Sequence, residues 1–138
     1  MDIDARGPRF GAAVTTVVLA VVLITGSVWL LAWQTLAFAL GAAGGAARSP
    51  YGWLFRKAVR PRIGPPTEFE APEPPRFAQA VGFAFAAVGL IGYGVGPEWL
   101  GLAATGAALA AAFLNAAFGY CLGCEMYLLV RRLTVRAE

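Results

Sequence analysis

Cys121 and Cys124 are the only strongly nucleophilic side chains in a 138-residue chain that contains no histidine. They sit in the segment Phe118-Gly119-Tyr120-Cys121-Leu122-Gly123-Cys124-Glu125. On a helix, residues three apart lie on neighbouring turns of one face, near enough for their sulfurs to join with modest adjustment. Gly119 is suited to opening a fresh helical turn, and Gly123 removes side-chain bulk between the sulfurs. A helix restarting at Gly119 would set Cys121 near its N-terminus, where the dipole and free backbone N–H groups stabilise a thiolate. Glu125 acts in the opposite sense: four residues from Cys121 on the same face, its carboxylate would raise the thiol pKa or accept the thiol proton. In C-x-x-C redox pairs the first cysteine is usually the nucleophile, so Cys121 is the expected attacking thiol and Cys124 the resolving one. A cytosolic setting would keep such a pair mostly reduced at rest.

Two blander readings of the same spacing stand beside this one. Reduced cysteine is a small hydrophobe, and the pair would fill a tightly packed helix end. Two thiolates are also half of a zinc or iron–sulfur site, but one chain supplies no further ligands, so neither a metal nor a cofactor is expected in it. The absence of histidine excludes a His-ligated haem, a His general base and a Ser-His-Asp triad within the chain. A bare cysteine pair also implies no disulfide-stapled scaffold.

The elements that must position the pair are read from hydropathy. Hydrophobic residues make up 59% of the chain and charged residues 14%, with a mean hydropathy of +0.65. That composition calls for lipid rather than water around the fold. Uncharged segments run from Phe10 to Ala47, from Phe77 to Val95 and from Trp99 to Cys124. The first is too long for one span, since a bilayer core of about 30 Å needs roughly 20 helical residues. Thr25-Gly26-Ser27 supplies a turn signal at its midpoint. The expectation is an all-α polytopic membrane protein, one domain with transmembrane helices at about 10–25, 28–47, 77–95 and 99–118. A Pro-rich loop, 48–76, is expected to be extended and solvated. It carries a local acidic patch of Glu68, Glu70 and Glu73.

The net charge of +3 would hint at nucleic acid in a soluble protein, but here the basic residues mark topology and no nucleic acid partner is expected. Arg6 and Arg9 precede the first helix. Arg48, Arg56, Lys57, Arg60, Arg62 and Arg76 lie between the second and third, and Arg131, Arg132 and Arg136 follow the fourth. Four spans place every one of them on one side, which the positive-inside rule assigns to the cytoplasm, with both termini there. Trp29 and Trp99 then sit at the outer face.

An internal repeat supports the four spans over a cleaved signal peptide at residues 1–26, which Arg6 and Arg9 before an apolar run would otherwise fit. Pro8-Arg9-Phe10-x-x-Ala13-Val14 recurs as Pro75-Arg76-Phe77-x-x-Ala80-Val81, and Trp29-Leu30 recurs as Trp99-Leu100. Two helical hairpins, both starting on the same side, form parallel repeats related by an axis along the membrane normal. A shift of 70 residues sets Arg48 against Phe118 and Arg56-Lys57 against Met126-Tyr127. The fourth helix should therefore reach the boundary near Gly119, with 119–138 as an interfacial segment that holds the cysteines at the membrane edge. Gly82, Gly89 and Gly96 fall on one stripe of the third helix, where close backbone packing is the simpler explanation than a pore lining. Thr15, Thr16, Gln34, Thr35, Thr105 and Asn115 are the polar residues of the spans, read as interhelical hydrogen-bonders. In a continuous helix Asn115 faces roughly opposite Cys124 and lies outside the thiol site. No charge lies deep in a span, which disfavours a proton-driven pump.

The whole pattern resembles a family of small bacterial integral membrane proteins, domain of unknown function 4395. The residues that carry the resemblance are Pro8-Arg9-Phe10, the basic Pro-rich loop and above all Gly119-Tyr120-Cys121-Leu122-Gly123-Cys124. The resemblance implies a bacterial inner membrane and a link to thioredoxin-like and sulfurtransferase proteins. Glu125 departs from the apolar or aromatic residue expected there. The leading expectation is a thiol–disulfide or sulfur relay in which Cys121 and Cys124 serve a cytoplasmic thioredoxin-like or sulfurtransferase partner. A small transporter or channel for a sulfur species is the alternative, with a cavity continuing to the outer face, and a structural subunit without chemistry is a third. Four spans are few for a wide enclosed path, so a homodimer fits any of these.

Overall fold

The computed structural model describes residues 3–4, 6–45, 49–64, 69–70 and 73–137. Four principal helices form the bundle: α1 (Arg6–Thr25), α2 (Val28–Gly44), α5 (Glu73–Gly94) and α6 (Glu98–Phe118). Between α2 and α5 lie a short α3 (Pro50–Leu54), a π-helical turn (Phe55–Val59) and α4 (Arg60–Ile63), and α7 (Leu122–Ala137) closes the chain. A two-residue antiparallel pairing of Ile3–Asp4 with Phe69–Glu70 ties the start of α1 to the long connection.

Three helices are long and apolar enough to cross a membrane: α1, α5 and α6, of 20, 22 and 21 residues with mean hydropathies of 1.8, 1.5 and 1.6. α2 is an equally apolar element of 17 residues, at the lower limit of a spanning helix. Many large apolar residues turn outward. Val17, Ile24, Leu36, Phe83, Phe85, Ile91 and Phe113 are all exposed. Such a continuous apolar exterior is stable only in lipid, where helices satisfy their own backbone groups. The protein is an all-α membrane protein.

Its packing repeats as the sequence does. α1 lies against α6 as α5 lies against α2, so the first helix of each hairpin packs on the second helix of the other. Arg76 explains part of the recurring Pro-Arg-Phe: its guanidinium donates to Ala42 O at 2.6 Å and Ala43 O at 2.7 Å, the unpaired carbonyls of the last turn of α2. Arg9 does the same for α6, donating to Ala116 O at 3.2 Å. The phenylalanines of the motif correspond too. Phe10 packs on Phe55 with ring centroids 5.8 Å apart, and Phe77 packs on Tyr127 at 5.7 Å. α3 with the π-helical turn is thus to α1 what α7 is to α5. The register pairs Phe55 with Tyr127, two residues beyond the simple shift that sets Arg56 against Met126.

The centre is held by Leu19, Val22, Leu31, Phe38, Ala86 and Ala108. The two hairpins differ in tightness. A Cβ at Gly92 would land on the Gly101 backbone, 2.8 Å from its Cα, so α5 and α6 approach at backbone distance. Of the expected glycine stripe, Gly82 seats the Phe38 ring and Gly89 faces Thr105 and Leu31, while Gly96 lies in the turn after α5. Between α1 and α2 the contact is polar instead. Gln34 donates to Thr15 Oγ1 at 3.3 Å, and the Tyr51 hydroxyl donates to Gln34 Oε1 at 2.6 Å while accepting from Trp33 Nε1 at 3.1 Å. Thr16 and Thr35 bond their own helices, to Ala12 O and Leu31 O.

The connection corrects the expected extended loop. Residues 50–63 are helical, with Tyr51, Gly52 and Phe55 buried against the bundle. Proline interrupts a helix only in its interior; Pro50 and Pro61 occupy first turns, where no intrahelical N–H is required. Pro74 and Pro75 likewise begin α5, which starts at Glu73 rather than at Phe77. The expected exit of the second helix at Arg48, and Glu68 of the acidic patch, lie outside the described residues, as do the side chains of Glu70 and Arg136. Glu73 is exposed.

Candidate functional site

α6 stops at Phe118 because Gly119 takes the left-handed conformation, φ +70°, which glycine adopts at little cost. The Gly119 N–H donates to Asn115 O at 2.9 Å and the Tyr120 N–H to Leu114 O at 3.2 Å, closing off the last carbonyls of α6. The chain then turns at Tyr120 and Cys121, and α7 begins at Leu122, three residues later than a restart at Gly119 would give. Cys121 consequently holds the N-cap position of α7. Its Sγ accepts the Cys124 backbone N–H at 3.1 Å, and its carbonyl accepts the Glu125 N–H at 3.0 Å. The sulfur therefore sits where the first turn of a helix directs free N–H groups and the positive end of its dipole.

Cys121 and Cys124 are joined as a disulfide, with Cα atoms 5.1 Å apart. Both are half-buried. The turn is braced from two sides. A Cβ on Gly123 would lie 2.5 Å from Ala78 Cα, so this glycine seats the start of α7 on α5. From α1, the Arg9 guanidinium reaches the end of α6 beside Gly119, where a Cβ would lie 3.7 Å from its Cζ. Glu125, the third residue expected in the site, is exposed, and among the described residues its side chain makes no hydrogen bond. Only its backbone contributes to the turn.

A cavity of about 300 Å³ opens beside the disulfide. Cys121 and Gly123 line one end, together with Pro8 and Pro75 from the first turns of α1 and α5. The lining then follows α1 to Thr15, α5 to Phe85 and α6 to Ala107, each near the middle of its helix. At 1.5 Å per residue this is a depth of about 10–15 Å. Beyond it the bundle is filled by Leu19, Val22, Leu31 and Ala86. Among the described residues no charged side chain lines the cavity, whose polar groups are Thr15, Gln79 and Asn115.

In a continuous helix Asn115 is expected to face roughly opposite Cys124 and to lie outside the thiol site. The break at Gly119 instead swings α7 across the end of the bundle and brings Cys121 onto the cavity that Asn115 also lines. Gln79 was not singled out by sequence reasoning. An amide just inside the second apolar run, between Phe77 and Val81, is the available signal. Among the described residues, neither amide side chain has a hydrogen-bond partner, and both are half-buried. No group of three or more His, Cys, Asp or Glu side chains comes together among the described residues, so the two sulfurs stand without additional metal ligands.

The profile of the family described as a domain of unknown function, DUF4395, matches residues 3–132. No curated protein and no solved structure matches the chain.

Proposed function

We propose, from the premise that the chain belongs to the DUF4395 family, that Cys121 and Cys124 are a redox couple exchanging two electrons with a thioredoxin-like dithiol protein. The observation that carries this reading is the hydrogen bond from the Cys124 N–H to the Cys121 sulfur at a helix N-cap. When the disulfide is opened, a sulfur in that position bears the negative charge more readily than one in a helix interior, and a thiolate is the form that attacks and leaves in exchange. The partner's thiolate attacks one sulfur of the pair, forming a mixed disulfide. Its second thiol then releases the couple as a dithiol, so the partner is oxidised as Cys121 and Cys124 are reduced. In the reverse direction Cys121 attacks and Cys124 resolves.

The described basic residues cluster at the end of the bundle where α1 and α5 begin and α6 ends. By the positive-inside rule that end faces the cytoplasm of a bacterial inner membrane, with both termini on that side. The amphipathic α7, apolar at Leu129 and Leu133 and basic at Arg131 and Arg132, suits an interfacial position there. A transport path would need the cavity to reach the far face, and its lining stops near the middle of the helices. This favours exchange over transport of a sulfur species.

The test is trapping with Cys124→Ser in cells. Exchange predicts a mixed disulfide through Cys121 with a thioredoxin-like protein. A persulfide on Cys121, seen as one added sulfur by mass spectrometry, would instead make the pair a sulfur relay serving a sulfurtransferase. A pair in nanodiscs that can be neither reduced nor re-formed at any accessible potential would remove both.

A further inference from the structure

The cavity beside the disulfide has a chemistry of its own. Its lining stops at mid-bundle, carries no charged side chain among the described residues, and is formed chiefly by small apolar residues of α5 and α6. An anionic or phosphate-bearing cofactor finds no cation there. At about 300 Å³ it stands at the lower end of the range of ligand cavities, about 300–1,000 Å³, which suits one ring rather than a large cofactor. Asn115 and Gln79 bring two amides without partners among the described residues onto its wall, groups able to donate to a pair of ring carbonyls. Phe85 and Met126 line it and are also exposed, which gives an apolar tail a way out into lipid.

We propose that this cavity binds the ring of a lipid-soluble quinone, the two-electron acceptor that renews the Cys121–Cys124 disulfide. The inference rests on the exchange reading above and names the second substrate of the same site. The two thiols release two electrons and two protons as the S–S bond forms. The quinone takes up both electrons and both protons, its two ring C=O groups becoming C–OH. Coupled to exchange, the net reaction moves two electrons from a cytoplasmic dithiol to the membrane quinone pool.

The protein is reduced in phosphatidylcholine nanodiscs, freed of reductant and mixed without oxygen with a short-tailed dimethoxybenzoquinone, and disulfide formation is followed by loss of maleimide labelling. Saturable oxidation is expected. Ala111→Leu, which fills the cavity, should lower the quinone-driven rate at least tenfold relative to the rate that the same variant shows with a soluble disulfide oxidant. An azido-quinone photolabel on the unaltered protein provides the measurement that needs no variant, with adducts expected on the cavity walls of α5 and α6. A ratio unchanged by Ala111→Leu, or labels scattered over the lipid-facing surface, would overturn the quinone site. Failure with quinone while the soluble disulfide still reacts sinks this inference alone; failure with both sinks the exchange reading beneath it.

Discussion

Ser49 and Cys121 hold the same position in the two halves of the molecule. Each caps the helix that follows the second member of its hairpin, and each accepts the backbone N–H three residues on at 3.1 Å, from Gly52 to Ser49 Oγ and from Cys124 to Cys121 Sγ. Serine is among the best N-cap residues, and a sulfur acceptor is an unusual replacement. The second half has thus placed a sulfur where the first half has a hydroxyl oxygen. Cys124, where the first half has Gly52, completes the pair.

The equivalence predicts how substitutions at Cys121 separate fold from chemistry. Under reducing conditions, which remove any effect of the cross-link, Cys121→Ser should keep the cap and match the parent protein in thermal unfolding in detergent. Cys121→Ala should fall below it by about 1 kcal/mol, the usual cost of losing an N-cap. Equal stability of the two variants would show that the sulfur does not cap α7.

The seat of α7 on α5 gives a second prediction. A side chain at position 123 meets Ala78 at both its Cα and its Cβ, 2.5 Å in each case. Gly123→Val should lift the start of α7, separate Phe77 from Tyr127 and cost about 1–3 kcal/mol, as overpacking does. Adding Ala78→Gly should restore part of the loss and not all of it, because the Ala78 backbone remains in the way. Thermal unfolding of the two variants against the parent protein measures this.

Arg76 and Arg9 provide a graded pair. Arg76 holds two carbonyls of α2 with short charge-assisted bonds, whereas Arg9 holds one of α6 at 3.2 Å. Both are exposed, so the effects are modest, about 0.3–1 kcal/mol at a helix C-terminus. Arg76→Ala should cost more than Arg9→Ala. Arg76→Lys should recover only part, since an ammonium cannot match the planar fork. Added salt should shrink all three differences.

The sequence pattern was informative where the physics is local. Runs of apolar residues mark the long helices, because desolvation of a helix depends on its own composition. The cysteine spacing likewise announces a possible disulfide, since three residues apart is a property of one helical turn. Prolines misled because their effect depends on position: Pro50 and Pro61 start helices instead of preventing them. That Asn115 and Cys121 share a cavity follows from one φ angle, at Gly119, which rotates everything after it. The cavity is legible in no single segment, as α1, α2, α5, α6 and α7 all contribute to its wall. The recurrence of Pro-Arg-Phe was visible, but its cause, an arginine of one hairpin satisfying a helix end of the other, is a tertiary fact.

Tyr51 links the connection after α2 to the bundle, and its titration gives a pH prediction. Burial raises its pKa above the usual value of 10.0, opposed by the hydrogen bond from Trp33. The folded state thus holds the phenol proton more tightly than the unfolded chain does. The corresponding stability is fully present below about pH 10 and is lost as pH rises through the folded value, since the unfolded chain releases its proton first. Tyr51→Phe abolishes this dependence. It also leaves the buried Gln34 Oε1 without the 2.6 Å hydroxyl donor. An unsatisfied buried acceptor costs about 1–3 kcal/mol. At neutral pH the variant should therefore unfold at lower temperature than the parent protein, and the gap should narrow above pH 10 as the parent loses its tyrosine contribution. A gap constant from pH 7 to 11 would show that the Tyr51 hydroxyl does not titrate with folding.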